Sequence, residues 1–176
     1  MKREVEVKIL NVDPVKLRKN LKKLGAVRIF PPTLFREMYW ESPAKERAYS
    51  SFRLRSEGKK SFLTLKMKKD DRHFEIRDEF EVEVGDFLMT MKILELAGFK
   101  IFREREKRRE EYQIGMIKIE IDEYPGMKPY MEIEASHKKD VLTLLKQLGF
   151  PLKYTTNRTA TEIIQDAGLD PNNLLF

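Results

Sequence analysis

Arg77-Asp78-Glu79-Phe80-Glu81-Val82-Glu83-Val84 decides how this chain is read. From Glu79 onward, acidic and apolar residues alternate without a break. Successive side chains of a strand point to opposite faces, so this stretch is a strand with one charged and one apolar face. An amphipathic run, Phe87 to Ala97, follows it and stops at Gly98. The same layout occurs twice more. Glu4-Val5-Glu6-Val7-Lys8 precedes Val15 to Leu24 and Gly25, and Glu132-Ile133-Glu134 precedes Val141 to Leu148 and Gly149. Leu17, Leu21 and Leu24 recur at helical spacing, as do Val141, Leu144, Leu145 and Leu148. Asp13-Pro14 makes a good helix start, and Asp86 and Ser136 are the expected caps of the other two helices. A Gly behind each run suits the left-handed residue that ends a helix. The chain therefore reads as three strand–helix units.

Further alternating segments lie between these units: Phe35–Glu41, Ser51–Glu57, Ser61–Lys69, Phe74–Val84, Phe99–Tyr112, Met116–Glu123 and Lys128–Ala135. Gly58-Lys59-Lys60, Gly115 and Tyr124-Pro125-Gly126-Met127 are turn signals between consecutive segments. Short turns imply antiparallel pairing. The count is about eight strands and three or four helices. The last helix is expected to start at Thr159, where Thr159 to Glu162 spells a capping box, and to end near Gly168. Residues 1–176 read as a single α+β domain.

The composition excludes several classes of function. There is no Cys, hence no disulfide, thiolate nucleophile or Cys-based metal site. The two histidines, His73 and His137, lie far apart, so a His-based metal site is not expected. No run of about 18 apolar residues is present, and the first residues lack a signal-peptide pattern, so a cytoplasmic protein without membrane contact is expected. Charged residues reach 36%, with 35 basic against 29 acidic and a net charge of +6. That small surplus says less than where the charges fall.

They fall on alternating strand positions, with both signs. Arg53-Leu54-Arg55, Thr64-Leu65-Lys66-Met67-Lys68, Lys107-Arg108-Arg109, Glu120-Ile121-Asp122 and Glu132-Ile133-Glu134 repeat the pattern. If the sheet stays open, this face is a solvated surface. If about eight strands close, it lines an interior with room for side chains and one small ligand. Clustered like charges in an interior are costly unless something of opposite sign binds there. Alternate carboxylates are hard oxygen ligands for Mg²⁺ or Mn²⁺. Alternate Arg and Lys suit polyphosphate. The pattern alone leaves both arrangements open.

Taken in order, these residues resemble the CYTH superfamily, the triphosphate tunnel metalloenzymes. Glu4-x-Glu6-x-Lys8 resembles its N-terminal signature. Phe52-Arg53-Leu54-Arg55, Leu63-Thr64-Leu65-Lys66, Arg77-x-Glu79-x-Glu81, Glu106-Lys107-Arg108-Arg109, Ile121-Asp122 and Tyr130-Met131-Glu132-Ile133-Glu134 resemble its later strands in sequence. The family includes class IV adenylate cyclases, thiamine triphosphatases, inorganic triphosphatases and fungal RNA triphosphatases, and the chain looks most like the cyclase branch. The resemblance implies an eight-stranded antiparallel closed β-barrel, or tunnel, with helices packed outside.

It also implies roles. Glu4, Glu6, Asp122, Glu132 and Glu134 match ligands of Mg²⁺ or Mn²⁺, or groups supporting them. Lys8, Arg53, Arg55, Lys66, Lys107 and Arg109 match triphosphate ligands. Glu79 and Glu81 match positions that hold a second metal or activate water. Arg77 and Arg158 are weaker matches, and Lys68, Glu83, Arg108 and Glu120 read equally well as surface or structural. Val5, Val7, Met131 and Ile133 should face the core. The chain departs from the family at Glu37-Met38-Tyr39-Trp40, where many relatives have Asp-x-Tyr-Phe, and at Thr159-Ala160, where many have Ser-Tyr. The expected reaction is ATP to cyclic AMP and pyrophosphate. The alternative is hydrolysis of thiamine triphosphate or tripolyphosphate. A non-catalytic polyphosphate or RNA module is the rival class, and the Phe and Tyr at core positions speak against nucleic acid as a partner. A homodimer is compatible with the sequence.

Overall fold

The computed structural model describes residues 2–41, 49–69 and 75–176, with side chains over 5–41, 49–67 and 78–176. His73 and the side chains of Glu4, Lys68 and Arg77 lie outside the described residues. The chain is a mixed α+β structure built on one large sheet. Its elements in order are β1 (Lys2–Ile9), α1 (Pro14–Lys23), β2 (Val27–Glu41), β3 (Ser51–Glu57), β4 (Lys60–Lys69), β5 (Glu75–Val84) and α2 (Phe87–Leu96). Then come β6 (Lys100–Ile114), β7 (Ile117–Glu123), β8 (Tyr130–Ala135), α3 (Lys138–Leu148), β9 (Thr155–Thr156), α4 (Ala160–Asp166) and β10 (Asn173–Leu174).

The eight long strands pair antiparallel throughout, in the order β6-β2-β3-β4-β5-β1-β8-β7. β7 pairs in turn with β6, from Arg108 opposite Glu123 to Ile114 opposite Ile117. Two two-residue strands extend this network: β9 pairs with β1 beside Lys8 and Ile9, and β10 runs parallel to β6. Seven strands fall within about two residues of the expected boundaries. β2 is the exception. It starts at Val27 rather than Phe35, running through Pro31-Pro32 with register shifts around Phe30. Pro lacks the amide that a ladder needs, so the sequence there looks like a break; the strand absorbs it as irregular pairing with β6.

The helices cap largely as expected. Asp13 accepts from the amides of Val15 and Lys16, and Asp86 from that of Met89. The Thr159–Glu162 capping box is complete. Ser136 does not cap α3: His137 holds that position and makes no side-chain cap bond. Gly149 takes the left-handed conformation (φ 79°) that ends α3, where a side chain would be strained.

The apolar strand face is covered from outside. α1 and α3 place Leu17, Leu21, Val141, Leu144 and Leu145 against Val5, Val7, Ile119, Met131 and Ile133. α2 places Leu94 against Leu54 and Trp40, and α4 places Ile164 against Tyr124 and Tyr130. Burying a large aliphatic side chain contributes about 1.5–3 kcal/mol. Val7, Met131 and Ile133 are fully buried, so this outer layer fixes which face of β1 and β8 turns the other way. No helix of the described residues is long and apolar enough to cross a membrane.

Candidate functional site

The opposite strand faces line one cavity of about 620 Å³. Glu6, Lys8, Arg53, Arg55, Lys66, Glu79, Glu81, Lys107, Arg109, Glu132 and Glu134 all border it. Alternation brings them there, since each sits two residues from the next on its strand and opposite a like-facing residue on its neighbour. Register makes the pairs: Glu6 stands opposite Glu134, Lys8 opposite Glu132, and Lys66 opposite Glu79. Of the expected site residues with described side chains, only Asp122 is not at the cavity surface. It is fully buried beneath its partners. Arg109 Nε and Nη2 donate to its two oxygens at 2.6 and 2.5 Å, Lys107 Nζ donates at 3.0 Å, and the Tyr130 hydroxyl lies at 3.4 Å. Asp122 therefore anchors cations in this structure.

Around it, β1, β8, β7 and the second half of β6 form a dense lattice of ion pairs. Arg109 also reaches Glu120 (2.5 Å) and Glu132 (2.9 Å). Lys118 bridges Glu134 (2.6 Å) and Glu120 (3.3 Å). Lys8 holds Glu6 and stands 3.6 Å from Glu132. Glu120 is thus an interior group, not the surface residue its sequence permits, and it is almost fully buried. Burial alone would raise its carboxyl, but Arg109 and Lys118 hold it well below the usual carboxylate range. Glu132 goes the other way. Burial, then the like charge of Glu6, push its carboxyl up to about 8.

The β3–β5 wall is more open to solvent. Arg55 pairs with Glu57 (2.5 Å) and Glu81 (3.4 Å), Lys66 with Glu79 (3.2 Å), and the Thr64 hydroxyl donates to Glu81 (2.7 Å). Arg53 Nη1 donates to Glu37 (2.8 Å). The Nε of Arg53 and of Arg55 have no acceptor among the described residues.

Glu37 is the main residue that sequence reasoning missed. It is completely buried, and it receives Arg53, the Tyr39 hydroxyl (3.0 Å) and Lys107 (3.4 Å). Burial would raise its carboxyl, but Lys107 and Arg53 outweigh that and hold it far below the usual range. The signal was present: Glu37 and Tyr39 share a face of a strand ending beside Arg53. Lys118, Arg103, Arg105, Tyr124 and Tyr130 also border the cavity. Arg158 does not. It pairs with Asp166 and is half exposed. Arg108 faces outward, its guanidinium 3.9 Å from the Phe176 ring.

Among the described residues, no three acidic or histidine side chains are gathered as a ready metal-ligand set. The donor chemistry nevertheless suits a hard cation. Glu6, Glu132 and Glu134 border the cavity from two neighbouring strands and bring hard carboxylate oxygens close together there.

A cavity lined by ordered acid–base strands invites comparison with known proteins. The CYTH domain model matches residues 2–160. The chain belongs to the CYTH family. A protein of Methanocaldococcus jannaschii named "putative adenylate cyclase" is 30% identical over 135 residues, covering 76% of this chain and 77% of its own. Two solved structures share the fold. A "putative adenylate cyclase" from Vibrio parahaemolyticus has a TM-score of 0.79 at 16% identity, over 93% of this chain and 98% of that one. A Hippeastrum protein described as a "putative adenylyl cyclase" with a dominant triphosphatase activity has a TM-score of 0.65 at 18% identity, over 96% and 97%.

Proposed function

We propose that the ring of paired strands works as a tunnel that binds a triphosphate, and that this CYTH chain is a divalent-metal-dependent enzyme turning ATP into cyclic AMP and pyrophosphate. One observation carries the reading: Lys8, Arg53, Arg55, Lys66, Lys107 and Arg109, drawn from four strands, all border one cavity. The β6–β7 ladder supports closure of the ring. Among the described residues, nine Arg and Lys against seven Glu line the cavity, so it favours a net anion. Arg presents a fork that matches phosphate oxygens, and the spare Nε donors of Arg53 and Arg55 add capacity for one.

In this mechanism the bases fix the phosphate chain along the tunnel. The ribose 3′-hydroxyl attacks the α-phosphorus, a new O–P bond forms, and the bond to the pyrophosphate oxygen breaks. Glu79 and Glu81 border the cavity beside Lys66 and Arg55, where one of them accepts the hydroxyl proton. Lys8, Lys107 and Arg109 stabilise the charge that gathers on the leaving pyrophosphate. Glu6, Glu132 and Glu134, with Glu4, would hold Mg²⁺ or Mn²⁺. Such an ion, when bound, neutralises phosphate charge and acidifies the attacking hydroxyl.

A second reading is hydrolysis of the triphosphate, with water in place of the ribose hydroxyl. The Hippeastrum relative favours it, being described as dominantly a triphosphatase. Purified protein incubated with ATP, thiamine triphosphate and tripolyphosphate, each with Mg²⁺ or Mn²⁺, separates the two. Cyclic AMP supports cyclisation and orthophosphate supports hydrolysis. No turnover on any of them would remove the enzyme reading.

A further inference from the structure

Among the described residues, the nine cations of the cavity exceed its seven carboxylates by two. The surplus has a definite place. Lys8, Arg53, Arg55, Lys66, Lys107, Arg109 and Lys118 each pair with at least one carboxylate. Arg103 and Arg105 pair with none among the described residues, although Arg105 is only 1% exposed. Neutral atoms hold them instead. Arg105 Nε donates to the Pro171 carbonyl at 2.6 Å and its Nη2 to the Thr161 hydroxyl at 2.8 Å. Arg103 Nε donates to Asn172 Oδ1, and its Nη1 to the same Thr161 hydroxyl, both at 3.1 Å. The two guanidiniums lie 5.3 and 5.5 Å from the centre of the Tyr39 ring. One hydroxyl therefore holds two like charges side by side. Burial, then the neighbouring charge of Arg105, lower the Arg103 pKa from its ordinary value.

A buried charge without a counter-charge is costly, and two together more so. The fold nevertheless secures both. β10 runs beside Glu104 and Arg105, and the Glu104 amide donates to the Asn172 carbonyl at 2.9 Å, so the segment bearing Pro171 and Asn172 is fixed on β6. Arg103 Nη2 and Arg105 Nη1 have no acceptor among the described residues. Two guanidiniums held in place, each with an Nη to spare, match the oxygens of a phosphate group. This pair stands apart from the cations assigned to the triphosphate. Alternate residues of a strand are about 6.6 Å apart, so Arg105 lies one step beyond Lys107 and Arg103 two. From Arg109 to Arg103 is about 20 Å along β6, more than three linked phosphates span.

We propose that Arg103 and Arg105 form a separate phosphate subsite, positioned by Thr161, which takes a phosphate group other than the three held by Lys107, Arg109 and their neighbours. That group is the fourth of a longer polyphosphate chain or a free orthophosphate. The subsite rests on the triphosphate reading above. The test is calorimetric titration of the full chain in Mg²⁺ with tripolyphosphate, with tetrapolyphosphate, and with orthophosphate after saturation by tripolyphosphate. The wild type is compared with Arg105→Gln, Arg103→Gln and Thr161→Val. Arg103→Gln, at the half-buried member of the pair, carries the same test should Arg105→Gln not fold. Either of two wild-type results supports the subsite. Tetrapolyphosphate binding at least about tenfold tighter than tripolyphosphate identifies the fourth group of a chain. Orthophosphate binding to the tripolyphosphate-loaded protein identifies the free ion. In both cases the two Arg→Gln variants should lose the added binding about tenfold while tripolyphosphate affinity stays within about threefold, and Thr161→Val should lose it about threefold. Neither result in the wild type, or equal losses for tripolyphosphate and the added group in the Arg→Gln variants, overturns the subsite and leaves the triphosphate reading intact. Failure of the wild type to bind tripolyphosphate overturns both.

Discussion

The cavity has two unequal walls. On one, formed by β1, β8, β7 and the second half of β6, nearly every charged side chain is buried and answered by an opposite charge. Arg109 alone serves Asp122, Glu120 and Glu132. On the other, formed by β3, β4 and β5, side chains are partly open, and Arg53 and Arg55 keep spare Nε donors among the described residues. The same alternation made both. The difference teaches that a charge inside a protein holds the structure together when its partners are already in place, and recruits a ligand when they are not. The first wall is already held by its own pairs; in the function proposed above the triphosphate draws on both, and the second is the receiving wall in that it offers spare donors.

The hardest way to break this contrast is at Arg109. Replacing it with Met leaves three buried carboxylates without their main cation. The expected loss is about 3–5 kcal/mol of stability, seen as a lower midpoint in urea unfolding. Arg55→Met, on the opposite wall, should barely move that midpoint but weaken triphosphate binding by about 10- to 100-fold in calorimetry. If the two variants lose stability equally, the walls do not differ in kind.

Glu37 belongs by its burial to the framework but holds Arg53 of the receiving wall. Its carboxyl is depressed, so its contribution is complete above its unfolded value of 4.5 and is lost as pH falls toward its folded value. Glu37→Gln should therefore lose stability at pH 7 and show a shallower loss between pH 5 and pH 3 than the wild type, measured by thermal melts. A slope equal to that of the wild type would detach Glu37 from the pH response. The smallest effect sharpens the receiving wall: Thr64→Val removes the hydroxyl that steadies Glu81. Stability should fall by about 1 kcal/mol. Turnover should fall more than substrate affinity, because Glu81 stays in place but loses its orientation.

Much of this was legible in the sequence, and what was not has a physical reason. Alternation places residues such as Glu6, Lys66 and Glu132 on one face, because an apolar neighbour marks the other. β6 offers no such mark. Glu104, Glu106, Arg108 and Glu110 face away from the cavity yet are as charged as Arg105, Lys107 and Arg109 within. They are answered outside by Arg36 to Glu106 and Arg18 to Glu110, both at 2.8 Å. Only pairing with β2 and β7 tells the faces of β6 apart. Glu37 sits on a strand the sequence does show, Phe35–Glu41, but its place beside Arg53 and Lys107 depends on β2 pairing with β3 and β6, which its own strand does not encode. The sealing of Asp122 could not be read at all. It depends on cross-strand register, Arg109 opposite Asp122 opposite Tyr130, which no single strand encodes.

β1 lies between β5 and β8, with Val5 facing both Ile76 and Ala135. A ribosome therefore releases the first strand long before either neighbour exists. Its edge toward β5 must wait for residues 75–84 and its edge toward β8, with the Val5-Val7-Ile9 stripe, for residues 130–135. Such distant pairings delay folding, because a long loop must close before any contact rewards it. The nascent segment carries its own protection in that interval: the charges of Glu4, Glu6 and Lys8 alternate with the apolar residues and keep the waiting edge from pairing with other chains.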